Sequence, residues 1–294
     1  MDLTNIGRVK EHYPMKEVTS FEIGGPVDYF IEPETEEELI RAVLRLEEEK
    51  IPWMIMGKGT NMVVSDKGIR GAVIRMGVFF EDIKIEGNRV AAEGGASMRR
   101  VAEAARRENL TGLEFAHGIP GAIGGAMTMN AGAYGGEMKD VVESVRVLHR
   151  DGTIEVLSNE ELHFEYRNSR VYTDNLIVLS ATFSLEPGDG ALIQEQMDDL
   201  WNRRTTKQPL EYPSAGSTFK RPVGYYAGQL IDQAGLRGLR HGDAQVSEKH
   251  CGFVINRGNA TCQEVVELIR TVQEAVYQKH GVELETEVKV LGEK

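Results

Sequence analysis

The chain has 294 residues, 41% of them hydrophobic, enough for proper cores, and no apolar run approaches the roughly 18 residues that a membrane-spanning helix needs. A net charge of -12 excludes a general nucleic-acid binder, because phosphate backbones require a basic surface, and leaves any anionic ligand to a local cluster of cations. The two cysteines, Cys251 and Cys262, fit neither a disulfide framework nor a zinc site; both read as buried small residues and no metal is expected.

The N-terminal stretch MDLTNIGRVKEHYP has no apolar core and no small-residue cleavage site, so no signal peptide is read there and a cytoplasmic protein is expected. Thr35 and Glu38 form a capping box, and Leu39, Ala42, Val43 and Leu46 recur at helical spacing through Lys50. Pro52 ends that helix, and the apolar run Trp53 to Met56 reads as a strand leading into the turn Gly57-Lys58-Gly59-Thr60-Asn61. Ala72 to Met76 and Arg89 to Ala92 are further strands, and Ser97 caps a helix carrying Val101, Ala104 and Ala105. Beyond a glycine-rich stretch, Val145 to Leu148 and Thr153 to Leu157 flank Asp151-Gly152, a hairpin signal, and Leu176 to Leu185 adds a strand. The breaker cluster Glu186 to Gly190 marks a domain boundary, after which Leu192 to Arg204 reads as a helix. A capping box at Thr261 and Glu264 opens the last helix, with Val265, Leu268, Ile269, Val272 and Val276 on one face, and Leu284 to Leu291 closes the chain as a strand.

Eight of the 32 glycines lie between Gly112 and Gly136, and no Asp, Glu, Lys or Arg occurs between Phe115 and Gly136. Glycine lets backbone N–H groups approach a ligand and point at phosphate oxygens, and an uncharged lining suits a flat apolar ring system. Composition leaves two other readings open, a small-residue packing layer and a helix-contact face. The turn after Met56 offers a second set of backbone, hydroxyl and amide groups from which an adenine dinucleotide could be gripped. Neither loop fits the G-x-G-x-x-G fingerprint in its strand, loop and helix context, which disfavours a dinucleotide fold of the Rossmann kind.

The ordered motifs SFEIGGP (20–26), GKGTN (57–61), GIPGAIGGAMTMNAGAYGGE (118–137), YRNSR (166–170), RTTKQP (204–209), AGSTFKRP (215–222), LIDQAGLRG (230–238) and LETEVKVLG (284–292) resemble the UDP-N-acetylenolpyruvoylglucosamine reductases nearly end to end. The resemblance implies a mixed α/β (α+β) chain, in which a two-lobed FAD-binding fold of the vanillyl-alcohol-oxidase type precedes a smaller C-terminal substrate-binding domain. On that reading the lobes are 1–76 and 77–188 and the substrate domain is 189–294, with the last strand free to return to the FAD-binding part. It further implies noncovalent FAD, with NADPH reducing the flavin and the flavin reducing the enolpyruvyl ether of a UDP-sugar in peptidoglycan precursor synthesis. The partners are then two small molecules, with no nucleic acid and no membrane insertion; the oligomeric state is not fixed, and a monomer is compatible with it.

Carried over by motif, Arg167 and Glu287 are expected to stabilise the developing enolate, and Ser217 to deliver the proton. Cofactor contacts are expected from Gly57, Lys58, Gly59, Thr60, Asn61 and Met62 in the first loop. In the second they are expected from Gly118, Ile119, Pro120 and Gly121, from Gly124 and Gly125, and from Asn130, Ala131 and Gly132. The substrate is expected to meet Tyr166, Arg204, Lys207, Lys220, Gln229 and His250; Arg203, Arg204, Lys207, Lys220 and Arg221 fall in a stretch with a single acid, Glu211. Arg221 stands where the family often has Asn, and the short interval from Arg167 to Ser217 resembles the type without an inserted substrate-covering loop. His117 reads as structural. Two other functions remain in view: a flavoprotein oxidase or dehydrogenase using oxygen rather than NADPH, and a silent nucleotide-sugar binding protein.

Overall fold

The structure is a computed structural model that describes residues 3–293. Its contacts divide the chain into two units. One holds the residues up to Lys10, Tyr29–Lys58 and Gly71–Arg204; the other holds Glu11–Asp28, Gly59–Arg70 and the chain from Thr205 onward. The linear division at 76 and 188 therefore differs from the contact units, because two short N-terminal segments fold with the C-terminal residues and the helix Gly190–Lys207 stays with the first unit as far as Arg204.

In the first unit, Thr35 Oγ1 accepts the Glu38 amide at 3.2 Å and starts the helix Glu36–Glu48, whose Leu39, Ala42, Val43 and Leu46 are buried. Trp53–Met56 pairs in parallel with Ala72 to Arg75. The strands Arg8–Pro14 and Pro26–Glu32, which carry no clear alternation in the sequence, belong to the same four-stranded sheet, with Arg8 to Lys10 and Tyr29 to Glu32 counted in this unit. An antiparallel sheet runs in the order Ile154–Ser158, Val142–Leu148, Ile177–Ser184, Arg89–Glu93, Ile83–Glu86. Its hairpin turns at Gly152, with φ +85°, and Asp151 Oδ1 accepts from the Thr153 amide at 2.9 Å. Ser97 caps the helix Met98–Arg107, and a core around Val90, Phe183, Met127 and Val145 lies under the glycine-rich segment.

In the second unit the helix Cys262–His280 is framed by the Thr261/Glu264 capping box and by Gly281 at φ +66°. It packs with the sheet Arg240–His241, Ala244–Val246, Val254–Asn256 and the helix Ala227–Gln233 over a core that includes Phe21, Ile23 and Val63. The expected final strand is shorter than the apolar pattern: Lys289–Leu291 alone is a strand, paired in parallel with Met62–Val64, while Thr286 makes a single bridge to Phe219. Both cysteines are buried and free, and burial, followed by the charge of Asp66, pushes the Cys262 thiol up to about 11.

Asp66 adds a long-range cap to that helix: its Oδ1 accepts the Cys262 amide at 2.9 Å and its Oδ2 the Gln263 amide at 3.1 Å. Asp66→Ala leaves two first-turn amides without that acceptor and is expected to cost about 1–2 kcal/mol in urea unfolding. A loss under about 0.3 kcal/mol would show that water replaces the cap fully. Among the described residues no helix is long and apolar enough to cross a membrane, and no group of three His, Cys, Asp or Glu is placed to hold a metal ion.

Candidate active site

The first unit brings Gly57 and Lys58 together with the second glycine loop. A Cβ at Gly57 would lie 2.9 Å from the Ala122 Cβ, so only glycine allows the two loops to touch there. The Ile123 and Gly124 amides fix the loop by donating to Ala96 and Gly94 at 2.9 and 2.8 Å. The amides of Gly118 and Gly121 donate to no acceptor among the described residues, and Gly125 has open space where a side chain would stand. Unspent donors beside an uncharged lining are what a diphosphate joined to a flat ring system requires, so these residues fit FAD. Lys58 is 3.9 Å from Glu81.

Other residues of this loop also make contacts within the protein. Ile119 and Ala131 pack against the core. Gly132 faces Glu137 across a short hairpin, where a Cβ would come within 2.6 Å of the Gly136 carbonyl. Asn130 is fully buried at φ +40°, and its side chain is spent within the protein: Nδ2 donates to Glu137 at 2.6 Å and to the Glu165 carbonyl at 3.1 Å, while Oδ1 accepts the Lys139 amide at 3.0 Å.

Those bonds place Arg167. Glu165 and Asn168 bond each other through their backbones at 3.0 and 3.3 Å, closing a tight turn with Tyr166 and Arg167 at its tip. Asn130 holds one side of this turn, and Ser169 Oγ, donating to the Thr128 carbonyl at 3.1 Å, holds the other. Arg167 has φ +56°, a conformation that costs a non-glycine residue roughly 1 kcal/mol, and its guanidinium lies 4.9 Å from the Tyr166 ring centre. Tyr166 is half exposed. Arg204 is buried and lies along Gly118, whose Cβ would stand 3.1 Å from the arginine Cδ. His117, packed edge-on to Trp201 at 6.1 Å, has its charged form disfavoured chiefly by burial.

The second unit holds the backbone of Glu287 against Thr218, the neighbour of Ser217. Gly216 at φ +74° turns the chain into Ser217. Next to it Thr218 is locked on three sides: its amide donates to Gly252 at 2.9 Å, its carbonyl accepts the Glu287 amide at 2.9 Å, and its Oγ1 accepts the Val254 amide at 2.9 Å. The bridge Phe219 to Thr286 and the bond from the Lys220 amide to Glu285 continue this register. Asn61 joins the same strip, with Nδ2 donating to the Glu287 carbonyl at 3.3 Å and its own carbonyl accepting from Lys289 at 3.1 Å. Gly59 accepts from the Ser20 amide at 3.0 Å, and Thr60 and Met62 follow it into the strand beside Lys289.

His250 lies close by, its Nδ1 accepting the Gly252 amide at 3.1 Å and its Cε1 3.2 Å from where a Gly228 Cβ would be. Burial first, then Arg237 and Lys207, push its pKa down, so it is neutral near neutral pH and places Lys207 in its surroundings. Gln229 is exposed one residue beyond Gly228, Lys220 is ion-paired to Glu285, and the Arg221 guanidinium lies 4.1 Å from the Tyr226 ring centre. Thr218, Glu165 and Ser169 escaped the sequence reading; the first had a signal, since a polar residue beside a candidate acid often positions it.

Two family models match the chain: residues 27–158 match one described as FAD binding domain, and residues 208–291 one described as UDP-N-acetylenolpyruvoylglucosamine reductase, C-terminal domain. The chain is similar to the UDP-N-acetylenolpyruvoylglucosamine reductase of Caldanaerobacter subterraneus, 52% identical over 98% of this chain and 95% of the relative. It is likewise similar to that of Clostridioides difficile, 50% identical over 97% of this chain and 94% of the relative. Among solved structures, the crystal structure of the Thermus caldophilus UDP-N-acetylenolpyruvylglucosamine reductase superposes with a TM-score of 0.85 at 37% identity, covering 96% of this chain and 98% of that one.

Proposed function

The chain belongs to the UDP-N-acetylenolpyruvoylglucosamine reductase family, and from that premise we propose that it is a UDP-N-acetylmuramate dehydrogenase. It reduces the enolpyruvyl ether of UDP-N-acetylglucosamine enolpyruvate to UDP-N-acetylmuramate at the expense of NADPH, through noncovalent FAD. Bound FAD supplies the carrier that accepts hydride from NADPH and donates it to the substrate. We place the reaction in the cytoplasm, where its nucleotide substrates are made.

The observation that supports this reading is the bond from the Glu287 amide to the Thr218 carbonyl, which holds the Glu287 backbone against the residue next to Ser217, because the chemistry needs an acid and a charge-stabilising group in one neighbourhood. Hydride adds to the terminal alkene carbon and drives charge toward the substrate carboxylate. Arg167 supplies a fixed cation for that charge, Glu287 supports the developing enolate, and Ser217 Oγ gives its proton to the carbon bearing the ether oxygen. The strain stored at Arg167 is consistent with a residue held for such a task. Lys207 and Lys220 take the diphosphate, Gln229, His250 and Tyr166 border the sugar, and Asn130 keeps the glycine loop and the Arg167 turn in one arrangement.

Purified protein is expected to carry a releasable yellow cofactor and to oxidise NADPH rapidly only when the enolpyruvyl sugar nucleotide is present. Colourless protein that takes up no added FAD would sink the flavin reading. Oxygen consumption without NADPH would point to an oxidase, and ligand binding without turnover to a silent binder.

A further inference from the structure

Arg204 shares the buried stripe of the helix Gly190–Lys207 with Ile193 and Met197 and is only 8% exposed. Among the described residues it has neither an ion pair nor a hydrogen bond, and burial pushes its pKa down against a single opposing influence, that of Tyr134. Arginine stays charged even so, its stem buried while its nitrogens are not among the sealed, unpartnered atoms, so they are open to an anionic partner.

Its position narrows the choice. A Cβ on Gly118 would lie 3.1 Å from Cδ and 3.8 Å from Nη1 of Arg204, so the side chain runs along the cofactor loop. The free amides of Gly118 and Gly121 already suit phosphate oxygens. A guanidinium without a carboxylate partner, lying along that loop, suits the polar edge of a flat ring system.

We propose that Arg204 faces the electron-rich edge of the FAD ring system and holds the negative charge that the ring gains on reduction. Hydride carries two electrons and one proton into a neutral ring, leaving one negative charge, and the charge is discharged when the same hydride passes to the substrate. A fixed cation in a water-poor site stabilises the charged form over the neutral one. Arg204 thus makes the flavin a better acceptor, a role different from the substrate contact its motif implies. The assignment rests on the FAD reading above.

The test equilibrates FAD-loaded wild type, Arg204→Met and Arg204→Lys with a redox dye in the absence of substrate, alongside the FAD dissociation constant and thermal melting. Arg204→Met is expected to shift the flavin at least tenfold toward the oxidised form, about 30 mV for a two-electron couple, and Arg204→Lys by less. An equilibrium within twofold of wild type overturns the proposal. So does an equal weakening of oxidised and reduced FAD, which would put the guanidinium at the diphosphate, and so does a raised KM for the enolpyruvyl substrate at unchanged potential. If Arg204→Met does not fold, the lysine variant decides by the same criterion. Protein that never binds FAD fails the cofactor reading itself, a different result from FAD retained at unchanged potential.

Discussion

Ser217→Ala protein is expected to be reduced by NADPH at the wild-type rate and to turn over the enolpyruvyl substrate about a thousandfold more slowly, the scale lost with a positioned general acid. The separation follows from how the residue is held. Thr218, through three hydrogen bonds, and the Phe219 to Thr286 bridge fix the backbone, whereas Ser217 is exposed and its hydroxyl bonds to no described residue. Removing that hydroxyl costs little stability, within about 0.5 kcal/mol. Stopped-flow absorbance of the flavin resolves the two half-reactions, and a melting curve controls for folding. Unchanged turnover would remove Ser217 from the mechanism, and an equal loss in both half-reactions would make it a general structural residue.

Asn130→Ala is expected to lower stability by about 2–4 kcal/mol and to release FAD. Alanine strands the Lys139 amide, worth about 1–3 kcal/mol when unpaired, leaves the Glu165 carbonyl to the Asn168 amide alone, and must itself adopt a left-handed backbone at a further cost of about 1 kcal/mol. The same change unties the turn that presents Arg167, so residual flavin-loaded protein is expected to lose substrate turnover more than flavin reduction. Urea titration with an unchanged slope measures the first effect, and flavin absorbance per chain the second. A shift below about 1 kcal/mol would mean that ordered water replaces the amide.

The long helices were legible because their signals are local: the capping boxes at Thr35 and Thr261 and the apolar stripes behind them lie within a few turns. The Asp151-Gly152 hairpin was legible for the same reason. Arg8–Pro14 and Pro26–Glu32 were not, since their strands alternate poorly and owe their existence to distant partners. The glycine loop could be recognised as a ligand loop, but not which of its residues face inward: Asn130 carries a polar side chain in a conspicuous place and spends it on the scaffold. Arg204 did leave a trace that composition hides, because it falls in register with Ile193 and Met197, and a charged residue on an apolar stripe is seldom there for solubility. The approach of Glu287 to Thr218 lay beyond reach, because it depends on pairing residues some seventy positions apart, as in the bridge from Phe219 to Thr286.

The unit that holds Ser217 draws on three stretches of chain, and Phe21, Ile23 and Val63 in its core come from the first seventy residues. A gene fragment beginning at Thr205 therefore encodes an incomplete hydrophobic interior, and its longest helix lacks the aspartate that caps it. The C-terminal portion is inherited, exchanged or fused intact only together with those early segments, so recombination between relatives is expected to succeed when Glu11–Asp28 and Gly59–Arg70 come from the same parent as the residues beyond Thr205.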